Sequence, residues 1–150
     1  EIAQATLTVT AAGVSKIYDG NTTATVTLSD DRVDGDLLTA TYATADFIDK
    51  NVGEGKTINV DGITISGDDA GNYTVNTTAT TTADIIARPI TVTADALTKI
   101  YGEDDPELTW QLTTGSLVAG DPMSGTLARE PGEDVGRYLI TQGTLTAGGN

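Results

Sequence analysis

One stretch of this chain occurs twice, and that repetition constrains the fold more than any other feature. Residues 7–11 (LTVTA) return as residues 90–94 (ITVTA), and residues 14–18 (VSKIY) return as residues 97–101 (LTKIY), both at an offset of 83. Further along, residues 33–36 (VDGD) resemble residues 118–121 (VAGD), and residues 51–53 (NVG) resemble residues 134–136 (DVG). Four anchors in the same order imply one architecture built twice. A length of 150 residues accommodates two small units. Only Ala87-Arg88-Pro89 separates them, without a Gly/Ser linker, so the division falls at 1–86 and 87–150.

The local pattern inside each copy has a period of two. Residues 6–10 and 90–93 alternate strictly, as do residues 23–28, with Ala24, Val26 and Leu28 on one face. Further strands are expected over 37–42, 56–60, 62–66 and 73–82 in the first copy. In the second they are expected over 108–113, 125–129 and 137–146. Asp-Gly pairs at 19–20, 34–35 and 61–62 mark turns, because glycine adopts positive φ without steric cost. No stretch carries a helical period of useful length; a single turn is expected over 46–51. The fold class is therefore all-β, with two tandem sandwich-like modules.

Composition narrows the chemistry. The chain has neither cysteine nor histidine, which removes disulfides, thiolate nucleophiles and the commonest general base and metal ligand. The net charge is −14. Residues 1–86 carry 13 acidic and 4 basic side chains, and residues 87–150 carry 9 and 4. Both halves are acidic, so neither is expected to bind nucleic acid. No apolar run reaches transmembrane length, so no membrane insertion is expected. Threonine recurs throughout, and its branched Cβ suits a pleated strand while its hydroxyl faces water.

The acidic residues are the remaining candidates for a site. Asp30, Asp31, Asp34 and Asp36 are the weak calcium candidates, since calcium needs several oxygens converging on one point. Their alternation persists for a single step, and solvated turns explain the same charges. The expectation is no cofactor and no metal. A carboxylate pair for sugar hydrolysis would need a cleft with aromatic platforms. Trp110 and Phe47, the only large rings other than tyrosine, fit a core better. Tyr18 and Tyr101 likewise fit strand ends, with the ring packed inward. Lys16 and Lys99 fit a buried stem under a solvated ammonium. No enzyme activity is expected.

Several of these motifs resemble known families. Residues 16–20 (KIYDG), 49–53 (DKNVG) and 66–73 (SGDDAGNY) resemble the YDG domain of large bacterial exoproteins, including filamentous-haemagglutinin-like adhesins. Residues 99–108 (KIYGEDDPEL), 115–121 (GSLVAGD), 125–129 (GTLAR) and 132–149 resemble the MBG, or mostly bacterial Greek-key, domain. The resemblance implies Greek-key-like β modules repeated along an adhesin stalk at the bacterial surface, outside the cell. It also implies that the second module, which reaches Asn150 where the matching Tyr73 would follow, lacks its closing strand. The expected role is non-catalytic: to extend a distal binding region, with neighbouring modules of the same polypeptide as partners. The alternative is a module that itself binds carbohydrate or a host or matrix protein. The expected state is a monomer, with a strand-borrowing dimer as the other arrangement an open edge allows.

Overall fold

A computed structural model describes residues 1–148, and among them the regular structure is fourteen β-strands and one short 3₁₀ turn. The all-β expectation holds. The chain divides into two compact units, Glu1–Ala87 and Arg88–Asn150.

The first unit is organised around its last strand. Strands β3 (Lys16–Ile17), β6 (Thr44–Phe47), β7 (Gly53–Asp61) and β10 (Thr78–Ile86) form a sheet of order β3-β10-β7-β6. β10 pairs antiparallel with β7 from Thr78 opposite Asp61 to Ile85 opposite Gly53, with a bulge near its end. On its other edge it runs parallel to β3, Ile86 facing Ile17. Alternation along β7 turns Ile58 and Val60 inward, and both are fully buried with Leu7, Val9, Ile63 and Ile85. Burial of each such side chain stabilises the unit by about 1.5–3 kcal/mol.

The N-terminal residues follow β10 without pairing to it throughout. β1 (Ala5–Leu7) runs parallel to β9 (Tyr73–Val75), while β2 (Val9–Val14) leaves to pair antiparallel with β4 (Thr25–Asp30). Asn76 bridges the departure. Its Oδ1 accepts from Val9 N–H at 2.7 Å, and its Nδ2 donates to Val9 C=O at 3.0 Å. One side-chain amide thus satisfies a peptide group where the ladder is interrupted. β2 then comes close to β10 at Gly13, where a Cβ would lie 2.6 Å from Thr82 O and 2.9 Å from Ile58 Cδ1. Only glycine permits that approach. The remaining pair is β5 (Thr39–Thr41) with β8 (Thr64–Ser66).

Two local expectations change. The single strand expected over 73–82 is two, β9 and β10, divided at Asn76-Thr77 because Asn76 turns its amide to Val9. The helical turn expected over 46–51 begins instead as strand: Phe47 pairs with Ile58 and is buried, and core packing overrides a local turn preference. The 3₁₀ turn lies at Ala70–Asn72. Glycines 20, 35 and 62 all have positive φ (83°, 97° and 69°), as the Asp-Gly pairs predict.

The second unit repeats two pairings of the first and keeps a bridge at the place of a third. β11 (Thr91–Ala94) and β12 (Trp110–Thr114) place Ala94 opposite Trp110, as Ala11 stands opposite Leu28. β13 (Ala128–Arg129) and β14 (Ile140–Thr141) place Ala128 opposite Thr141, as Ala45 stands opposite Val60. An isolated bridge of Ser124 with Thr146 stands where β5 and β8 pair Thr41 with Thr64 in the first unit. By this register Leu139 corresponds to Ile58 and Leu145 to Ile63. The strands expected over 125–129 and 137–146 shrink to two residues each. Among the described residues of this unit nothing takes the place of β10, and Leu145 is its one buried apolar side chain.

Candidate functional site

The acidic loop after β4 is the first place to look. Arg32 reaches back to Asp30 with two parallel bonds, Nε to Oδ1 at 2.7 Å and a terminal nitrogen to Oδ2 at 2.6 Å. Its remaining nitrogen donates to Leu38 C=O. The Asp30 side chain is only 5% exposed, and the Arg32 bonds hold its carboxyl below the usual aspartate value. Asp31 accepts from Thr8 N–H at 2.7 Å. Asp36 accepts from the Tyr73 hydroxyl, which itself accepts from Val33 N–H at 3.0 Å. The Asp36 bond raises the Tyr73 phenol above its ordinary value. Asp34 stands exposed in the turn that Gly35 closes.

Three of the four calcium candidates are thus committed to Arg32, Thr8 and Tyr73. The structure does not bring Asp30, Asp31, Asp34 and Asp36 to one point, and no group of three or more acids among the described residues is arranged to hold a metal. Beside this loop lies an open groove of about 320 Å³ lined by Arg32, Asp36, Leu37, Leu38, Thr39, Gly67 and Asp68. Gly67 is required there: its φ is 123°, and a Cβ would lie 2.5 Å from Leu37 O. Asp69 then fastens the strand entry, accepting from Leu37 N–H at 2.8 Å and donating its own N–H to Leu37 C=O at 3.2 Å.

The repeated Lys-Ile-Tyr motif lies elsewhere. Lys16 Nζ reaches four oxygens of the following turn: Asp19 Oδ1 (2.8 Å), Asn21 C=O (2.9 Å), Asn21 Oδ1 (3.0 Å) and Thr23 C=O (2.9 Å). It also sits 5.7 Å from the Phe47 ring centre. The expected solvated ammonium is instead enclosed by the turn, and three N–H protons serve four acceptors. The cation organises the turn that follows it. Tyr18 packs inward, 2% exposed, and donates its backbone N–H to Ile86 C=O at 2.8 Å.

In the second copy the lysine finds other partners. Lys99 bonds Asp105 at 2.8 Å and Glu133 at 2.7 Å, and Arg129 bonds the same two acids at 3.1 and 3.0 Å. Arg129 also lies over the Tyr138 ring, 4.7 Å from its centre. The Lys99 bonds hold both carboxyls below their ordinary values, with Arg129 adding to the effect.

The profile of the YDG domain matches residues 3–83, and that of the MBG domain (YGX type) matches residues 90–150. The chain belongs to the YDG domain family, with an MBG domain following. Both are β-rich domains of a type found in bacterial surface proteins. No curated protein and no solved structure matches the chain. The two sequence types differ for a visible reason. In the YDG domain Asp19 follows Tyr18 and supplies Lys16 with a carboxylate. In the MBG domain Gly102 holds that place at φ 87°, so Lys99 turns to Asp105 and Glu133.

Sequence reasoning did not single out Arg32, Asn76 or Arg129. Arg32 and Arg129 carried a weak signal as rare bases among many acids. Asn76 carried none, because its partner Val9 is 67 residues away.

Proposed function

We propose that the chain is a non-catalytic structural segment of a secreted or surface-anchored bacterial adhesin, extending a distal binding region from the cell. The observation that carries this reading is repetition: a YDG and an MBG domain in direct succession share two strand pairings and the place of a third bridge. Repetition of a scaffold serves length and spacing, whereas a dedicated site would differ between copies. The acids support the same reading, since Asp30, Asp31 and Asp36 hold loops in place. The net charge of −14 would keep neighbouring copies from adhering to each other.

The test is binding by the isolated segment. Immobilised chain exposed to a glycan panel and to matrix proteins should bind none of them saturably. Saturable micromolar binding would replace the structural reading with an adhesive one. The groove beside Arg32 would then be the first place to mutate.

A further inference from the structure

The turn after β3 brings the groups of an amide-forming reaction into contact. Lys16 Nζ lies 3.0 Å from Asn21 Oδ1, one bond from the side-chain carbon Cγ, and 2.8 Å from Asp19 Oδ1. The Thr23 N–H donates to the same Asn21 Oδ1 at 3.0 Å, so two donors polarise that carbonyl. Asp19 is itself fixed by the Asn21 N–H at 3.2 Å. The Lys16 side chain is 17% exposed, and the buried Phe47 ring stands 5.7 Å from Nζ. Asp19 and the backbone carbonyls of Asn21 and Thr23 already suffice for the three N–H protons of the lysine. The Asn21 amide is a fourth neighbour beyond what the charge requires. None of these partners is kept in the MBG domain. At the offset of 83, Gly102 stands for Asp19, Asp104 for Asn21 and Pro106, which has no N–H, for Thr23. Lys99 bonds two carboxylates instead.

We propose that the Lys16 and Asn21 side chains join in an isopeptide bond, with Asp19 as the proton carrier. Asp19 takes a proton from Nζ, leaving an amine that attacks Asn21 Cγ. Proximity supplies the rest of the driving geometry, because all three side chains are held in one turn. The negative charge that develops on Oδ1 is held by the Thr23 N–H. The Nζ–Cγ bond forms as the Cγ–Nδ2 bond breaks. Nζ gives up two protons and the departing nitrogen gains two by way of Asp19, so it leaves as ammonium and the carboxylate is restored. No oxidant or co-reactant is consumed. The product closes the connection between β3 and β4 covalently, beside the bridge of Thr23 with Asp46, and removes one positive charge. The chemistry does not depend on whether the parent protein is a stalk.

The experiment is intact-mass analysis of the folded 150-residue chain, sampled from purification through weeks of incubation and followed by tryptic mapping. The expected result is a species lighter by one ammonia. Its Lys16–Ile17 bond resists trypsin, so residues 1–32 come off as one fragment with Lys16 joined to Asn21. Lys99 stays cleavable and serves as the internal control. Chain kept unfolded in urea retains its full mass, as do Lys16→Arg and Asn21→Ala. Asp19→Asn, shown by circular dichroism to fold, forms the product about a hundredfold more slowly. Full mass after weeks in the folded state overturns the proposal. A loss of ammonia that mild base reverses, with Lys16 still cleavable, marks a cyclic imide at Asn21 and overturns it too. So does folded Asp19→Asn that reacts as fast as the parent chain, or a loss of ammonia that maps outside residues 16–21.

Discussion

Tyr18 and Tyr101 follow the same Lys-Ile pair, 83 residues apart, yet one ring is buried and the other faces solvent. Identical local sequence has not produced identical burial. What differs is the presence of β10 over the first copy: its Ile86 carbonyl receives the Tyr18 amide, and its body pairs with β7 above the core. The contrast extends to the whole of each domain. Among the described residues, fourteen buried apolar side chains belong to the YDG domain and one to the MBG domain. In the first copy it is β10, paired with β7 and β3, that closes the core.

The tyrosines offer the strongest way to break this comparison. Tyr18→Ala removes a fully packed ring and should destabilise the YDG domain by about 3–5 kcal/mol. Tyr101→Ala removes a ring already in water and should stay within about 0.5 kcal/mol. Denaturant midpoints of the two variants measure both. Equal losses would mean that Tyr101 is covered in solution.

A smaller effect separates the matching positions Gly13 and Ala96. A methyl at Gly13 meets Thr82 O at 2.6 Å, and Gly13→Ala should cost about 1–3 kcal/mol as β2 is pushed from β10. Ala96→Gly meets no such contact and should cost no more than about 1 kcal/mol, from backbone entropy. Thermal unfolding of both variants is the measurement. A neutral Gly13→Ala would show that β2 slides freely over β10.

The smallest effect concerns charge. Arg32 lowers the Asp30 carboxyl in the folded state, below its ordinary 3.8. The stability from that shift is fully present above pH 3.8 and is lost as pH falls through the lower folded value. Asp30→Asn should therefore flatten the acid limb of YDG unfolding while leaving its shape above pH 5 unchanged. The MBG cluster of Lys99, Arg129, Asp105 and Glu133 is more open to water, with Asp105 44% and Glu133 67% exposed. Its contribution should disappear in 1 M NaCl, where exposed pairs are screened. Comparing Asp30→Asn with Asp105→Asn in low and high salt sharpens the distinction. A salt-insensitive Asp105→Asn would mean that its cluster is enclosed.

The sequence by itself determined the class of structure and its duplication. Alternation at 23–28 and along β7 set which side chains turn inward, because successive residues of a strand face opposite sides. The Asp-Gly pairs set three turns, because a positive φ there depends on one residue alone. Tertiary structure decided everything that needs a distant partner. The parallel course of the N-terminus along β9 and β10, the break at Asn76, the strand at 46–47 in place of the turn expected over 46–51 and the separation of the four aspartates arise from contacts across tens of residues. Local pattern carries no record of those partners. For the same reason the motif KIY specifies a lysine, an isoleucine and a ring, while the strand lying over it decides whether that ring is core or surface.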